Sequence, residues 1–377
     1  MTREMTPRTC DVELRRIAGT VSRLKSFGLR MAALGGAILT ASVLPTTSQE
    51  NEREPTYPVG IRQVEYVDTH YGVRNMALAV FYPAVIREGS TTPFVMPFFT
   101  DLNLYKDAEM AFDGTRRPLV MFSHGRGSNG LYYAWFAQVL ASHGYIVAAP
   151  YHYHANTYDS TIAYLANRLW QRPVDVSLDI SFLLSDPFWG KYVDPDRIGV
   201  AGHSQGGFTA LWLGGAKVNA EKYLAFQKGW RNNPQVPEHL REELPLDPEP
   251  ALNVKDERVK AVFAMAPGIV QAFGMDEAGL EQLNVPAYLT VGAGDTQTPP
   301  EENAEFAAKH IPGAELTIIP GAVDHEIFVN ECDEEGKNEF PEACKDAPGV
   351  DRGTIHDAVG NAALKFFDTN LGTGHGK

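Results

Sequence analysis

The sequence predicts an α/β fold built on a mostly parallel, doubly wound sheet of about eight strands with helices on both faces. Three observations carry that reading. Eight short apolar runs recur from about residue 60 onward, and segments with helical spacing separate most of them. Most of the runs are rich in β-branched residues and apolar along their whole length, as strands covered on both faces are. Alternation of strand and helix at this spacing is the pattern of a doubly wound sheet.

Taken in order, Gln63–Val67 and Ala77–Tyr82 alternate as half-buried strands, with Pro83 closing the second. Pro118–Ser123, Tyr145–Ala149, Ile198–Gly202, Val259–Ala264, Pro286–Val291 and Ala314–Ile319 read as strands buried on both faces. Between them Leu131, Trp135 and Val139 recur at spacing four, and a last helix puts Ile355, Val359, Ala362 and Phe366 on one stripe. Trp170 and Trp189 read as packing residues. Two stretches break the alternation. Ala84–Arg117 is a long insertion in which Pro93 and Pro97 flank Phe94, Phe98 and Phe99. Residues 217–250 are charged, end in five prolines within seventeen residues, and read as a cap-like insertion near the site. Long irregular segments inside a compact domain are usually lids or binding loops.

The chain has 377 residues, 44% hydrophobic and 21% charged, which excludes a disordered tail protein and a small disulfide-stapled module. A net charge of −14 argues against a nucleic-acid partner bound by phosphate neutralisation. The basic residues are concentrated early: the first 48 carry seven Lys/Arg against three acids. After Arg30 the uncharged run Met31–Leu44 is too short to span a bilayer. A basic stretch, a short apolar run and then small residues read as a secretory leader over 1–48, leaving 49–377 as the folded domain. The protein is then expected to be secreted or periplasmic, with no stable membrane span once the leader is removed. Of the three cysteines, Cys10 lies in the leader, while Cys332 and Cys344 are twelve apart and can pair in an oxidising compartment. A bridge over such a loop stabilises by about 3 kcal/mol on the chain-entropy view.

Gly202–His203–Ser204–Gln205–Gly206–Gly207 is the most informative stretch: a buried strand runs into G-x-S-x-G and on into a helical segment. A serine on so sharp a turn takes a strained backbone, so its neighbours must be nearly side-chain free. Gly202 and Gly206 supply that room, and Gly207 lets helix and strand approach. Such a serine needs a base, the base an orienting acid, and the reaction an anion-stabilising pair of donors. Asp295 follows the strand Pro286–Val291 in Gly292–Ala293–Gly294–Asp295, and His325 follows Ala314–Ile319 in Gly321–Ala322–Val323–Asp324–His325. Both therefore fall at strand ends on the edge that holds Ser204, in the order serine, acid, histidine. His325 is expected to take the Ser204 proton and Asp295 to fix the imidazole tautomer.

The competing histidines fit less well. His203 adjoins the nucleophile but points away from where a base approaches, His124 lies in the donor loop, and His143, His310 and His356 fall in helices or turns. Asp324 is too close to His325 to face its ring and reads as a solvated loop acid. Ser123–His124–Gly125–Arg126–Gly127 follows the strand ending at Phe122, so the backbone N–H groups of Arg126 and Gln205 are the expected oxyanion donors. The Arg126 guanidinium is either a contact for an anionic substrate or a solvated surface group. Tyr151–His152–Tyr153–His154 leaves a strand end on the same side and reads as aromatic pocket lining. Its two histidines lack the further ligands a metal needs, and no phosphate loop points to a nucleotide or flavin, so no cofactor is expected.

These motifs resemble the α/β-hydrolases. More narrowly, residues 60–371 are similar to the dienelactone-hydrolase-like group related to platelet-activating-factor acetylhydrolases and bacterial polyester-cleaving hydrolases. The carriers are the F-Y-P end of the early strand, S-H-G-R-G, L-A-S-H-G-Y-I-V-A-A-P, R-P-V-D-V-S, G-V-A-G-H-S-Q-G-G, G-A-G-D and the His325 loop. The resemblance implies ester hydrolysis through an acyl-serine, without cofactor, on a small-molecule, lipid or polymeric ester. Two departures stand out: the nucleophile is Ser204 rather than the cysteine of dienelactone hydrolases proper, and Arg126 stands where relatives often carry an apolar residue. Alternatives carried forward are a short-acyl phospholipid acetylhydrolase or lipase, an amidase, and a binding protein that retains the fold. Acyl preference and oligomeric state are not legible in the sequence.

Overall fold

A computed structural model describes residues 57–372 except 90, 164–167, 231, 233, 235–237 and 239–253. The leader expected at 1–48 and most of the cap-like insertion at 217–250 lie outside the described residues. Strands β1 (Val59–Asp68), β2 (Arg74–Val85), β3 (Thr92–Phe94), β4 (Leu104–Lys106), β5 (Glu109–Met110), β6 (Arg117–Ser123), β7 (Ile146–Pro150), β8 (Val193–His203), β9 (Val259–Met265), β10 (Ala287–Gly292) and β11 (Glu315–Ile319) form one sheet. The helices are α1 (Ala134–Ser142), α2 (Gln171–Ser185), α3 (Gln205–Gly214), α4 (Ala220–Trp230), α5 (Glu277–Leu280), α6 (Ala304–His310), α7 (Glu334–Glu339), α8 (Pro341–Cys344) and α9 (Arg352–Leu371).

The sheet order is β11-β10-β9-β8-β6-β7-β2-β1-β4-β3, with β5 pairing β2. From β7 to β11 all pairs are parallel, and β2 and β1 join antiparallel. Side chains of the central strands point into two cores. One core packs α2 and α3 through Val176, Ile180, Phe208 and Leu211, while the other packs α1 and α9 through Phe136, Leu140, Val359 and Phe367. The doubly wound arrangement is therefore as expected. After β6 the chain moves to β7 on one side and then returns to β8 on the other. Loops leaving β6 and β8 diverge there, and the crevice beyond the carboxyl ends at such a switch point is where ligands bind in open α/β sheets. That crevice holds Ser204.

Four expectations are corrected. Eleven strands are present among the described residues rather than eight, because the Ala84–Arg117 insertion contributes β3, β4 and β5, of two or three residues each. So short a strand has no periodicity to read. Pro83 does not close β2, which runs on to Val85. The Pro83 carbonyl accepts from Ala111 N (2.9 Å), and a residue's N–H and C=O point to the same strand edge. Its missing N–H therefore faces the 111 segment beyond the end of β7, where the ladder does not need it. Third, β11 is not buried on both faces, being the edge strand of the sheet with every residue at least partly exposed. Finally, of the stripe expected on α9, Val359 and Phe366 are buried but Ile355 and Ala362 are partly exposed, and the buried face extends instead through His356, Ala363 and Phe367.

Candidate active site

Ser204 sits between β8 and α3 at φ 55°, ψ −121°, a region costly for a residue with a Cβ. The strain is held on three sides. Ser204 N–H donates to the Met265 carbonyl (2.9 Å), and its own carbonyl accepts from Phe208 N (3.1 Å) and Gly268 N (3.0 Å). The flanking glycines are there for contact. A methyl built on Gly206 falls inside the van der Waals surface of the Ser123 carbonyl oxygen, and one on Gly202 overlaps the Gly206 carbonyl. At Gly207 the nearest atoms would be Pro267 Cα at 3.0 Å and Met265 O at 3.1 Å, tight but short of overlap. Gly206→Ala is therefore expected to leave little soluble folded protein by size-exclusion chromatography, whereas Gly207→Ala should fold with a modestly lower thermal midpoint. Equal behaviour of the two would show that backbone contact at the turn is not what selects glycine.

His325 opens a single helical turn, His325–Phe328, which Asp324 caps by accepting from Glu326 N (3.2 Å). Asp324 thus has a defined role rather than that of a solvated acid. His325 Nδ1 lies 2.7 Å from Asp295 Oδ2, and both side chains are almost fully buried. The Asp295 loop is an Asx turn: Oδ1 accepts from Gln297 N (2.9 Å) and Thr298 N (2.8 Å). Thr298 Oγ1 donates to Asp295 Oδ2 (2.8 Å) and lies 3.1 Å from His325 Nδ1. Burial raises the Asp295 carboxyl, but the hydrogen bonds from His325 and Thr298 outweigh it and hold the group below the usual carboxylate range. Ser204 and His325 face the same cleft.

Behind these groups one chain of hydrogen bonds links three loops. His203 Nε2 lies 3.0 Å from the His325 carbonyl, which can only accept, so Nε2 carries the proton. Nδ1 must then accept from the Tyr133 hydroxyl (3.0 Å), whose oxygen in turn accepts from Gly125 N (3.3 Å). Burial, and then the neighbouring His325, keep His203 neutral. His203 is thus a spacer between the His325 loop and the loop after β6. His356 is also structural: it stacks on Trp135 at 3.8 Å and contacts the Ile327 carbonyl at 2.8 Å.

The loop after β6 rests on a buried cation. Arg172 on α2 donates to the His124 carbonyl, to Ser123 Oγ (3.3 Å) and to Thr209 Oγ1 (3.3 Å). Burial pulls its pKa down to about 9, so it stays charged at neutral pH. Ser123 Oγ also contacts His152 Nε2 (2.8 Å), and His152 Nδ1 contacts Asp175 Oδ2 (3.2 Å). This overturns the reading of Tyr151–His154 as pocket lining. Asp175 accepts from Tyr153 N (3.1 Å) as well as facing His152, which draws the turn onto α2 and away from the cleft. Thr157 and Tyr158, further along the same loop, reach the cleft instead. Arg126 and Gln205 both border the cleft beside Ser204, with Gln205 the first residue of α3, where no helical carbonyl accepts its N–H.

The cleft has a volume of about 890 Å³. Much of its lining is apolar and aromatic: Phe94, Met96, Phe98 and Phe99 from the insertion, Tyr132, Tyr158, Phe273 and Phe340 from elsewhere. The sequence had marked the Phe94–Phe99 cluster but not its partner Phe340. Of the second insertion, α4 is described, and its Phe226 packs on Phe273 (4.7 Å) at the cleft margin. Cys332 and Cys344 form the expected disulfide, and Cys344 borders the cleft. Among the described residues no group of three or more His, Cys, Asp or Glu is placed to hold a metal ion, and no helix is long and apolar enough to cross a membrane.

Thr298, Tyr133 and Arg172 were not singled out as site residues. Thr298 had a local signal, an acid followed three residues on by a hydroxyl residue as in an Asx turn. Arg172 lay within a quoted motif without a role, and Tyr133 had no local signal, since its hydroxyl meets His203 seventy residues away.

Comparison with known proteins agrees with this architecture. Residues 112–227 match the family model described as Chlorophyllase, a span covering the loop after β6, the serine turn and α3 but neither Asp295 nor His325. No curated protein sequence matches the chain. Among solved structures, a ferulic acid esterase from Streptomyces cinnamoneus superposes with a TM-score of 0.58 at 23% identity, over 83% of this chain and 90% of that one. The fold is that of an α/β-hydrolase.

Proposed function

We propose that the protein is an exported serine carboxylic-ester hydrolase whose nucleophile, base and acid are Ser204, His325 and Asp295. The observation that carries this is a serine on a strained strand–helix turn, sharing a cleft with a histidine that a buried carboxylate holds at 2.7 Å. The name of the structural neighbour and the partial family match support ester rather than amide substrates.

In this reading Ser204 Oγ attacks the ester carbonyl while His325 Nε2 takes its proton. The negative charge forms at the start of α3, where the backbone amides of Gln205 and Arg126 and the positive helix end stabilise it. His325 then protonates the leaving alcohol, and water repeats the sequence to free the acid from acyl-Ser204. Asp295 stabilises the imidazolium formed in both halves. The apolar, largely aromatic lining shared with the nucleophile favours esters with a sizeable apolar acyl or alcohol group. The basic-then-apolar leader, together with a disulfide in the folded domain, supports export.

Release of p-nitrophenol from acetate, butyrate, octanoate and palmitate esters tests the proposal. Ser204→Ala is expected to lower kcat/KM by about 10⁴–10⁶-fold with its thermal midpoint nearly unchanged. Turnover that survives in Ser204→Ala, or no turnover of any ester by the wild type, would overturn it.

A further inference from the structure

The aromatic wall has a feature that the proposed chemistry does not use. Phe98 sits at φ 71° and Asp101 at φ 58°, both in the left-handed region that residues with a Cβ avoid. Such a backbone persists only where its surroundings hold it. The Asp101 carbonyl is held by Gln138 Nε2 of α1 (3.3 Å), but the holder of Phe98 is the segment closed by the Cys332–Cys344 disulfide, together with Glu331 just before it. Phe99 forms a bridge with Cys332, Thr100 N donates to the Glu331 carbonyl (3.0 Å), and Asp333 N donates to the Phe98 carbonyl (2.9 Å). The Phe340 ring meets Phe98 edge-on at 5.4 Å, and a methyl on Gly336 would stand 2.6 Å from the Phe98 carbonyl oxygen. The segment is short and polar, containing only the six-residue helix α7 and the four-residue helix α8. Its sulfurs are buried, and the bond fixes both of its ends.

We infer that the disulfide-closed segment is a strap that holds Phe98 in its strained conformation against the cleft, and thereby sets selectivity for bulky apolar esters. The substrate side of this inference rests on the ester-hydrolase reading above. With the bond closed, the aromatic wall is preformed and a long acyl chain packs against it. With the bond absent, Phe98 relaxes toward the ordinary backbone regions and that wall is lost. An acetyl group too short to reach the wall gains nothing from it, so the two substrate sizes separate.

The test compares wild type with Cys332→Ala/Cys344→Ala on p-nitrophenyl acetate and p-nitrophenyl decanoate. The decanoate-to-acetate ratio of kcat/KM is expected to fall about tenfold or more, carried by KM for decanoate. A second variant, Asp333→Pro, leaves the disulfide in place and keeps φ, which is −70° at this residue, but removes both the N–H that holds the Phe98 carbonyl and the carboxylate that caps α7 through Gly336 N (2.7 Å), so it loosens the strap from within. It should shift the ratio in the same direction and keeps the inference testable if the double variant does not fold. Hydrogen exchange at the Thr100 and Asp333 amides of the wild type and the cysteine variant reads the strap without any substrate, and both amides should lose protection in the variant. A ratio within twofold of wild type in folded protein, or retained protection of both amides, would overturn the strap. Failure of the wild type to cleave either ester would instead sink the hydrolase reading, and exchange alone would then decide the strap.

Discussion

Asp295→Asn is expected to lower kcat by about 10⁴-fold while the protein remains folded. The size of the effect follows from the acceptor roles around the imidazole. Asp295 Oδ2 is 2.7 Å from His325 Nδ1, and the carboxylate can only accept there, so the proton sits on Nδ1 and Nε2 is left free to take the Ser204 proton. An asparagine in the same pocket can turn its NH₂ toward Nδ1, because the Asx-turn amides of Gln297 and Thr298 claim its carbonyl oxygen. The ring then carries its proton on Nε2 and cannot act as a base. KM should move little, since Asp295 does not line the cleft. The companion measurement is stability against pH. The Asp295 carboxyl titrates below its unfolded value, so it stabilises the fold above the ordinary carboxylate range and that contribution is lost as pH falls through the folded value. The gap in thermal midpoint between wild type and Asp295→Asn should therefore be constant near neutrality and narrow on acidification below about pH 4. A loss in kcat under about tenfold would remove Asp295 from the proposed triad.

What could be read in advance, and what could not, divides by range along the chain. Ser204 and Asp295 each follow a buried apolar run and His325 follows the partly exposed β11, all three beside glycine-containing turns, so strand, turn and chemistry lie close in sequence and can be recognised together. Five of the six strands in the parallel run, β6 to β10, were legible for the same reason, since burial on both faces writes continuous apolar runs. Edge position is different. β11 carries Glu315 and Thr317 among its apolar residues, and both are exposed, but its place at the end of the sheet among the described residues is set by how the chain closes the strand order and not by that alternation. The misreading of Tyr151–His154 has the same origin: those residues do leave a strand at its carboxyl end, but the Asp175 carboxylate, more than twenty residues on, turns them inward. The strap on Phe98 depends on contacts more than two hundred residues apart, and only the two cysteines hinted at it.

Arg172→Met carries the second large expectation, because it removes the cation on which the loop after β6 is built. The wild-type guanidinium satisfies the His124 carbonyl and Ser123 Oγ together, one residue and two before the Gly125–Arg126 stretch proposed to stabilise the oxyanion. Gly206 packs on the same Ser123 and His124 carbonyls, so the serine turn and this loop share one support. Methionine fills a similar volume but donates nothing, leaving the His124 carbonyl without this donor. That should cost about 1–3 kcal/mol of stability. The catalytic loss should be larger than instability explains. If the His124–Gly125 peptide rotates to find another donor, the Arg126 amide no longer aims at the developing charge, and the loss of one such donor lowers kcat by about 10²–10³-fold. Arg172→Lys should recover only part of this, since one nitrogen of the guanidinium reaches both the His124 carbonyl and Ser123 Oγ while its Nε is anchored on Thr209 Oγ1, and a lone ammonium has no second nitrogen to hold it there. The two roles separate in the kinetics. Loss of aim lowers kcat at nearly constant KM in protein that is still fully folded at the assay temperature. A purely structural arginine would lower the apparent kcat only in proportion to the unfolded fraction, and that result would detach Arg172 from the reaction.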